Sequence, residues 1–234
     1  MSGGAPTLRL VTYNVNGLSR DVDAVVRVIR QAAPDAVCVQ EAPRRWRWRS
    51  RCADFAWRCG MLVASGGGTA LGNLLLVSQR VRVHEDWTMR FPLTPGRHMR
   101  GAAFARCSAG GRRFVLVGSH LATDPAERPE QAALLRAGCS GLSDPVLLGV
   151  DVNETASGLA WRTLCDSRVD AGADNGKPTY DVVSPRRRID TVFMDGACRL
   201  IRCEVLDTPD SRIASDHFPV LTELELPEPE NSSG

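Results

Sequence analysis

Residues 8–41 read LRLVTYNVNGLSRDVDAVVRVIRQAAPDAVCVQE, and this stretch decides the fold. A short β-branched run, 8–13, suits a strand. Residues 22–33 carry apolar side chains at helical spacing and stop at Pro34, which cannot continue a helix. A second apolar run, Ala36–Gln40, follows at once. Strand, helix and strand with short joints make a βαβ unit. Working outward, the runs 73–78, 114–119, 146–150, 189–194 and 218–224 also have strand character, and 61–120 holds neighbouring strands. Helix-like spacing recurs at 44–59, 126–137 and 157–165, with Asp124-Pro125 placed as a cap and first turn. The order predicts an α/β protein with mixed sheets covered by helices.

The chain has 234 residues and 25.4 kDa, room for one large domain or two small ones. With 43% apolar and 24% charged residues it is an ordinary globular composition, against disorder or a fibre. No apolar run nears the roughly 20 residues that cross a bilayer, so no membrane span is expected. Residues 1–10 lack a cationic start followed by an apolar stretch, so no secretory signal is expected either. The eight cysteines form no Cys-x-x-Cys pair, which removes zinc-finger and thioredoxin-like readings, and Cys38 and Cys107 fall in strands as buried thiols. A cytoplasmic monomer is the expectation. Pro227 to Gly234 reads as a flexible tail, and Gly66-Gly67-Gly68 as a plain loop.

Net charge is only +2, too small to demand a nucleic-acid partner, although 28 of the 29 basic residues are arginine. Residues 41–60 hold six arginines against two acids, and 204–230 hold eight acids against one arginine. The run Arg44-Arg45-Trp46-Arg47-Trp48-Arg49 has two readings. Basic grooves with interleaved aromatics bind single strands. In the leading reading it opens a helix after Pro43. Trp46 and Trp48, two apart, cannot share a helix face, whereas Trp48, Cys52 and Phe55 can face a sheet and leave the arginines outside.

The chemistry stands where apolar runs stop. They end in Asn14, Glu41, His120 and Asp151, with Asn153 two residues on; Asp190 opens one strand and Asp216-His217 precede the last. Ligands of α/β proteins bind at strand ends, where loops carry polar groups on a rigid base. Hard oxygens from Glu41, Asn14 and Asp216 suit Mg²⁺ or Mn²⁺ better than zinc. Asp151 can hold and deprotonate a water. His217 near Asp190 would keep its proton and meet developing negative charge. His84 and His98 join no such pattern.

In this order, Leu10-Val-Thr-Tyr-Asn14, Pro34-Asp-Ala-Val-Cys-Val-Gln-Glu41, Gly118-Ser-His120, Gly149-Val-Asp151-Val-Asn153, Arg188-Ile-Asp190 and Ser215-Asp216-His217 resemble the motifs of the endonuclease/exonuclease/phosphatase superfamily, the deoxyribonuclease-I-like group. The resemblance spans 8–224. It implies a four-layer α/β sandwich over a single domain, 1–226, and a metal-dependent phosphoesterase. By resemblance, Glu41 is the chief metal ligand, with Asn14 and Asp216 completing the metal region. Asp151 orients water, Asn153 donates to phosphate, and Asp190 with His217 meets the scissile phosphate. His120 matches the histidine of the deoxyribonuclease and phosphatase branches, where the abasic-site branch has tyrosine. Asn73 and Arg100 are candidate substrate-binding residues, and 178–180 a segment that shapes the site. The implied substrate is a phosphate ester. A nuclease acting on DNA or RNA competes with a small-molecule phosphodiesterase or phosphatase, and a non-enzymatic binding module stands behind both.

Overall fold

The computed structural model describes residues 7–174 and 176–228. In chain order it contains β1 (Thr7–Asn14), α1 (Val22–Ala32), β2 (Ala36–Gln40), α2 (Trp48–Arg58), β3 (Leu62–Gly67), β4 (Asn73–Val77), β5 (Val81–Arg90), β6 (Gly101–Ala109) and β7 (Arg112–His120). Then come α3 (Arg128–Cys139), β8 (Val146–Asp151), α4 (Leu159–Cys165), β9 (Val169–Asp170), β10 (Asp190–Met194), β11 (Arg199–Val205), α5 (Pro209–Ala214) and β12 (Val220–Glu225). The strands form two six-stranded sheets, β11-β12-β1-β2-β4-β3 and β5-β6-β7-β8-β10-β9. Each holds one parallel pair, β1 with β2 and β7 with β8, amid antiparallel neighbours. This is the expected four-layer sandwich.

The side-chain period of two builds those layers. Leu8 and Leu10 of β1, Cys38 of β2 and Leu75 of β4 point between the sheets and meet Leu116, Leu147 and Val192. The alternate residues Val11, Tyr13, Val37, Val39, Leu74 and Leu76 face α1 and α2. On the other sheet Val115, Val117, Leu148 and Val150 face α3 and α4. Central strands buried on both faces read as unbroken apolar runs, which is why they were legible. The outer strands β5 and β11 are largely exposed and polar along much of their length, so no such run marks them.

Several boundaries differ from expectation. Gly66 and Gly67 end β3 rather than forming a plain loop, and Gly67 and Gly68 seat the Trp48 indole: a Cβ on Gly67 would lie 2.6 Å from the ring. Helix α2 starts at Trp48, because Arg47 takes a left-handed φ of 54°. Trp48, Cys52 and Phe55 face inward as expected, and Trp46 is 85% exposed. Asp124 does not cap α3, which begins at Arg128; Asp124 accepts from Ala126 N and pairs with Arg97 instead. The described cysteines form no disulfide, and Cys38 and Cys107 are fully buried. Of the expected tail, Glu228 pairs with Arg112, while 229–234 lie outside the described residues. No described helix is long and apolar enough to cross a membrane.

The sheets pack tightly at Gly149, where an added Cβ would sit 2.6 Å from Cys38 Cβ and 3.0 Å from Thr12 Cβ. Gly149→Ala is therefore expected to cost about 2 kcal/mol by overpacking and to lower Tm by about 4–8 °C in thermal unfolding. A change within one degree would contradict this packing.

Candidate active site

Register carries the polar residues to one edge. Strands β1 and β2 run parallel, so Asn14, paired with Gln40, and Glu41 emerge together. Likewise β7 and β8 are parallel, with His120 opposite Asp151. Because β10 is antiparallel to β8, its first residue, Asp190, also faces Asp151. Strand β12 is antiparallel to β1, with Thr12 opposite Val220, so His217, three residues before Val220, reaches the same edge. Six side chains from distant parts of the chain thus gather at one edge.

Asp151, fully buried, is its middle. Its Oδ2 accepts from Asn14 Nδ2 at 2.9 Å, which ties the two sheets together, and its Oδ1 accepts from Asn153 N at 2.9 Å. Asp190 accepts from His217 Nδ1 at 2.9 and 3.2 Å through its two oxygens, and His217 Nε2 lies 3.8 Å from Asp151 Oδ2. Burial opposes a charge on His217. Asp190, then Asp151 and Asp216, outweigh it and push the imidazolium up to about 10. His217 therefore keeps its proton through neutral pH, as the sequence pattern implies.

His120 behaves oppositely. Burial, aided by Arg100 and opposed by Asp151, drives its pKa down to about 3. Arg100 Nη1 lies 3.0 Å from His120 Nδ1, and Asn153 Nδ2 lies 2.8 Å from Nε2. A neutral imidazole accepts at only one nitrogen. The guanidinium cannot give up its protons, so it takes Nδ1. Nε2–H then points at Asp151 Oδ2, 3.3 Å away, and Asn153 Nδ2 donates to Leu121 O at 2.9 Å.

Glu41 differs from the other acids. Its backbone is held at a φ of 57°, an uncommon conformation for glutamate, and its side chain is 40% exposed. No hydrogen-bond donor engages it among the described residues; the neutral His120 ring lies near it, with Nδ1 3.8 Å from Oε1. Asp216 is half-buried, and its carboxylate accepts from Ser215 Oγ at 3.3 Å. Asn73 is 1% exposed, and its Nδ2 ties Ala70 O to Gly101 O. Arg100 bonds His120 while also lining the cleft.

Other residues hold this frame. Thr179 Oγ1 accepts from Asp190 N at 3.2 Å, and the Tyr180 ring lies 4.7 Å from the His217 ring, so 178–180 do shape the site. Ser215 Oγ donates to Asn14 O at 2.7 Å. A cleft of about 350 Å³ opens at Glu41 and Arg100 and is lined further by Arg44, Arg45, Arg51 and His98. Sequence reasoning set His98 aside, and no local spacing would have drawn it in; the loop after β5 brings it there.

Asp151, Asp190 and His217 offer buried ligand atoms within 4.8 Å of one another, a group able to hold a metal ion. Strand-end carboxylates, amides and histidines on a double-sheet sandwich define a phosphate-ester hydrolase fold. The chain belongs to the endonuclease/exonuclease/phosphatase family, whose model matches residues 11–217. No curated protein matches it by sequence. Among solved structures, an endonuclease/exonuclease/phosphatase family protein from Bacteroides thetaiotaomicron is 17% identical, with a TM-score of 0.80 over 96% of this chain and 99% of that one. A mannosyl-6-phosphatase of the same organism is 17% identical, with a TM-score of 0.78 over 93% and 99%. D. rerio TDP2 complexed with single strand DNA product is 19% identical, with a TM-score of 0.75 over 94% and 99%.

Proposed function

We propose that this protein is a divalent-metal-dependent hydrolase that cleaves a phosphate ester by in-line attack of water. The observation that carries it is the Asp190–His217 pair: a buried imidazolium, held at 2.9 Å by one carboxylate, facing a second carboxylate 3.8 Å away. A fixed cation beside a general base is what a developing phosphorane charge and an attacking water require.

The roles follow from the geometry. Asp151 holds the water and takes its proton. His217 Nε2–H meets a phosphate oxygen. Asn153, at a φ of 57° that asparagine tolerates, keeps its amide beside the phosphate. Neutral His120, its tautomer set by Arg100, turns Nε2–H to Asp151 Oδ2 and holds that carboxylate in place. The water oxygen joins phosphorus as its proton passes to Asp151, the P–O bond to the departing oxygen breaks, and that oxygen takes a proton from solvent.

The donor set fits Mg²⁺ or Mn²⁺. Among the described residues no donor uses the Glu41 oxygens; Asn14 ends β1 opposite Gln40, the residue before Glu41, and its Oδ1 accepts only from Asn16 N, and Asp216 follows Ser215, whose Oγ bonds Asn14 O. We assign the ion to these three rather than to Asp190 and His217, because a protonated imidazole cannot ligate and Asp190 is committed to it. Such an ion supplies charge neutralisation on a phosphate oxygen. Cysteines that form no disulfide among the described residues suit a reducing compartment such as the cytoplasm.

The test is turnover of a general phosphodiester and a phosphomonoester with Mg²⁺, with Mn²⁺ and with EDTA. Hydrolysis of at least one, abolished by EDTA and restored by metal, is expected. Failure on both would leave a binding module. Between small-molecule and nuclease readings, the arginine lining of the cleft favours an extended polyanion.

A further inference from the structure

The cleft at Glu41 does not end there. A second cavity of about 630 Å³ shares two of its walls, Arg45 and Arg51, and continues past Trp46 and Arg47 over an apolar floor of Leu18, Val22 and Phe55. Together they form one trough leading away from the catalytic centre along the start of α2.

Its charge is uncompensated. Elsewhere arginines pair with acids, as in Arg27–Asp210, Arg128–Glu154 and Arg188–Asp170. Arg44, Arg45, Arg47 and Arg51 have no carboxylate partner among the described residues. The acids lining the trough are Glu41 at one end and Asp54 at the other. Trp46 stands 85% exposed among these cations, although α2 buries its apolar face without it. An exposed indole flanked by free guanidinium groups fits a ligand that alternates anions with flat rings. A polyphosphorylated sugar would use the arginines and leave the indole and the apolar floor idle. A duplex keeps its bases stacked inside, away from an indole.

We propose that the substrate is single-stranded nucleic acid. The scissile phosphate enters at Glu41, neighbouring phosphates lie on Arg44, Arg45 and Arg51, and a base stacks on Trp46. The chemistry of cleavage rests on the phosphoesterase reading above; the binding claim is tested separately.

The measurement is fluorescence anisotropy of a labelled eight-nucleotide DNA single strand, in EDTA so that nothing is cleaved. The same strand in a duplex is the comparison, and inositol hexakisphosphate is a competitor. Arg45→Glu/Arg51→Glu should weaken binding at least about 30-fold. It should also flatten the dependence of log affinity on log salt by about 1.4, for two phosphate contacts at about 0.7 each. Trp46→Ala should weaken it about tenfold, the value of one base stack. Arg113→Glu is the control: Arg113 is exposed on β7, seven residues or roughly 23 Å from His120, and should leave binding unchanged. Unaltered affinity in either trough variant, equal loss with Arg113→Glu, equal binding of duplex, or displacement by the hexakisphosphate at oligonucleotide-like affinity would overturn the proposal. Intact binding with no turnover in any metal would instead sink the phosphoesterase reading and leave the trough standing.

Discussion

His217→Ala is expected to lower kcat by about 10²–10⁴-fold, the range seen when a positioned proton donor or charge stabiliser is lost. The residue combines burial, a carboxylate on Nδ1 and an Nε2–H aimed at Asp151, so no neighbour can replace it. Alanine also strands Asp190 as a buried, unpaired charge and should lower Tm. His217→Gln, which keeps a neutral donor for Asp190, should lose nearly as much kcat with less loss of stability. Single-turnover rates well below each variant's Tm separate the two effects.

The sign of the pH dependence follows from the same pair. His217 has a folded pKa of about 10, above its ordinary value of 6.5. Its imidazolium form therefore persists through neutral pH, and activity should decline as pH rises towards 10. The stabilisation from the pair is full below about 6.5 and lost on rising through the folded value. Asp190→Asn removes the main raising charge, and burial then dominates. The declining limb should move down by several pH units, so that the variant is poorest at pH 8 and recovers on acidification. A limb left unmoved would contradict the role given to Asp190.

Glu41→Gln is expected to cost more than about 100-fold in kcat/KM at low Mn²⁺, with partial recovery as the metal is raised. A neutral amide holds a hard dication far less well than a carboxylate. Glu41 is the acid in the centre that no protein donor engages and that opens to the cleft, so its loss should spare the fold and leave Tm without metal nearly unchanged. Equal metal requirements in the two proteins would remove Glu41 from the metal site.

The fold was legible where burial on both faces forced unbroken apolar runs, as in β1, β2, β4, β7 and β8. It was not legible in β5 and β11, whose exposed faces dilute the pattern, or in α5, a six-residue helix closed by a Thr208–Ser211 capping box rather than by an apolar stripe. The convergence of the candidate site was legible for a related reason. Polar residues that interrupt apolar runs mark strand ends, and register brings Asn14, Glu41, His120, Asp151, Asp190 and His217 to one edge. What depends on side-chain direction was hidden. Asn73 sits at a strand start like the others, yet its amide closes a turn. Arg100 looks like a phosphate clamp in sequence, yet it bonds His120 Nδ1 and fixes that ring's tautomer. The Arg44–Arg51 run gave the helix boundary poorly, because a left-handed Arg47 holds the first arginines and Trp46 outside α2.

The account rests on one ion bound at Glu41 beside the Asp151–His217–Asp190 group. Its most direct test is the anomalous difference map of crystals soaked with Mn²⁺ and inorganic phosphate. The account predicts a single strong manganese peak bonded to a Glu41 oxygen, with the phosphate between that ion and His217 Nε2. A peak held by Asp190 and His217 with Glu41 free, or no peak in the cluster at all, would contradict it.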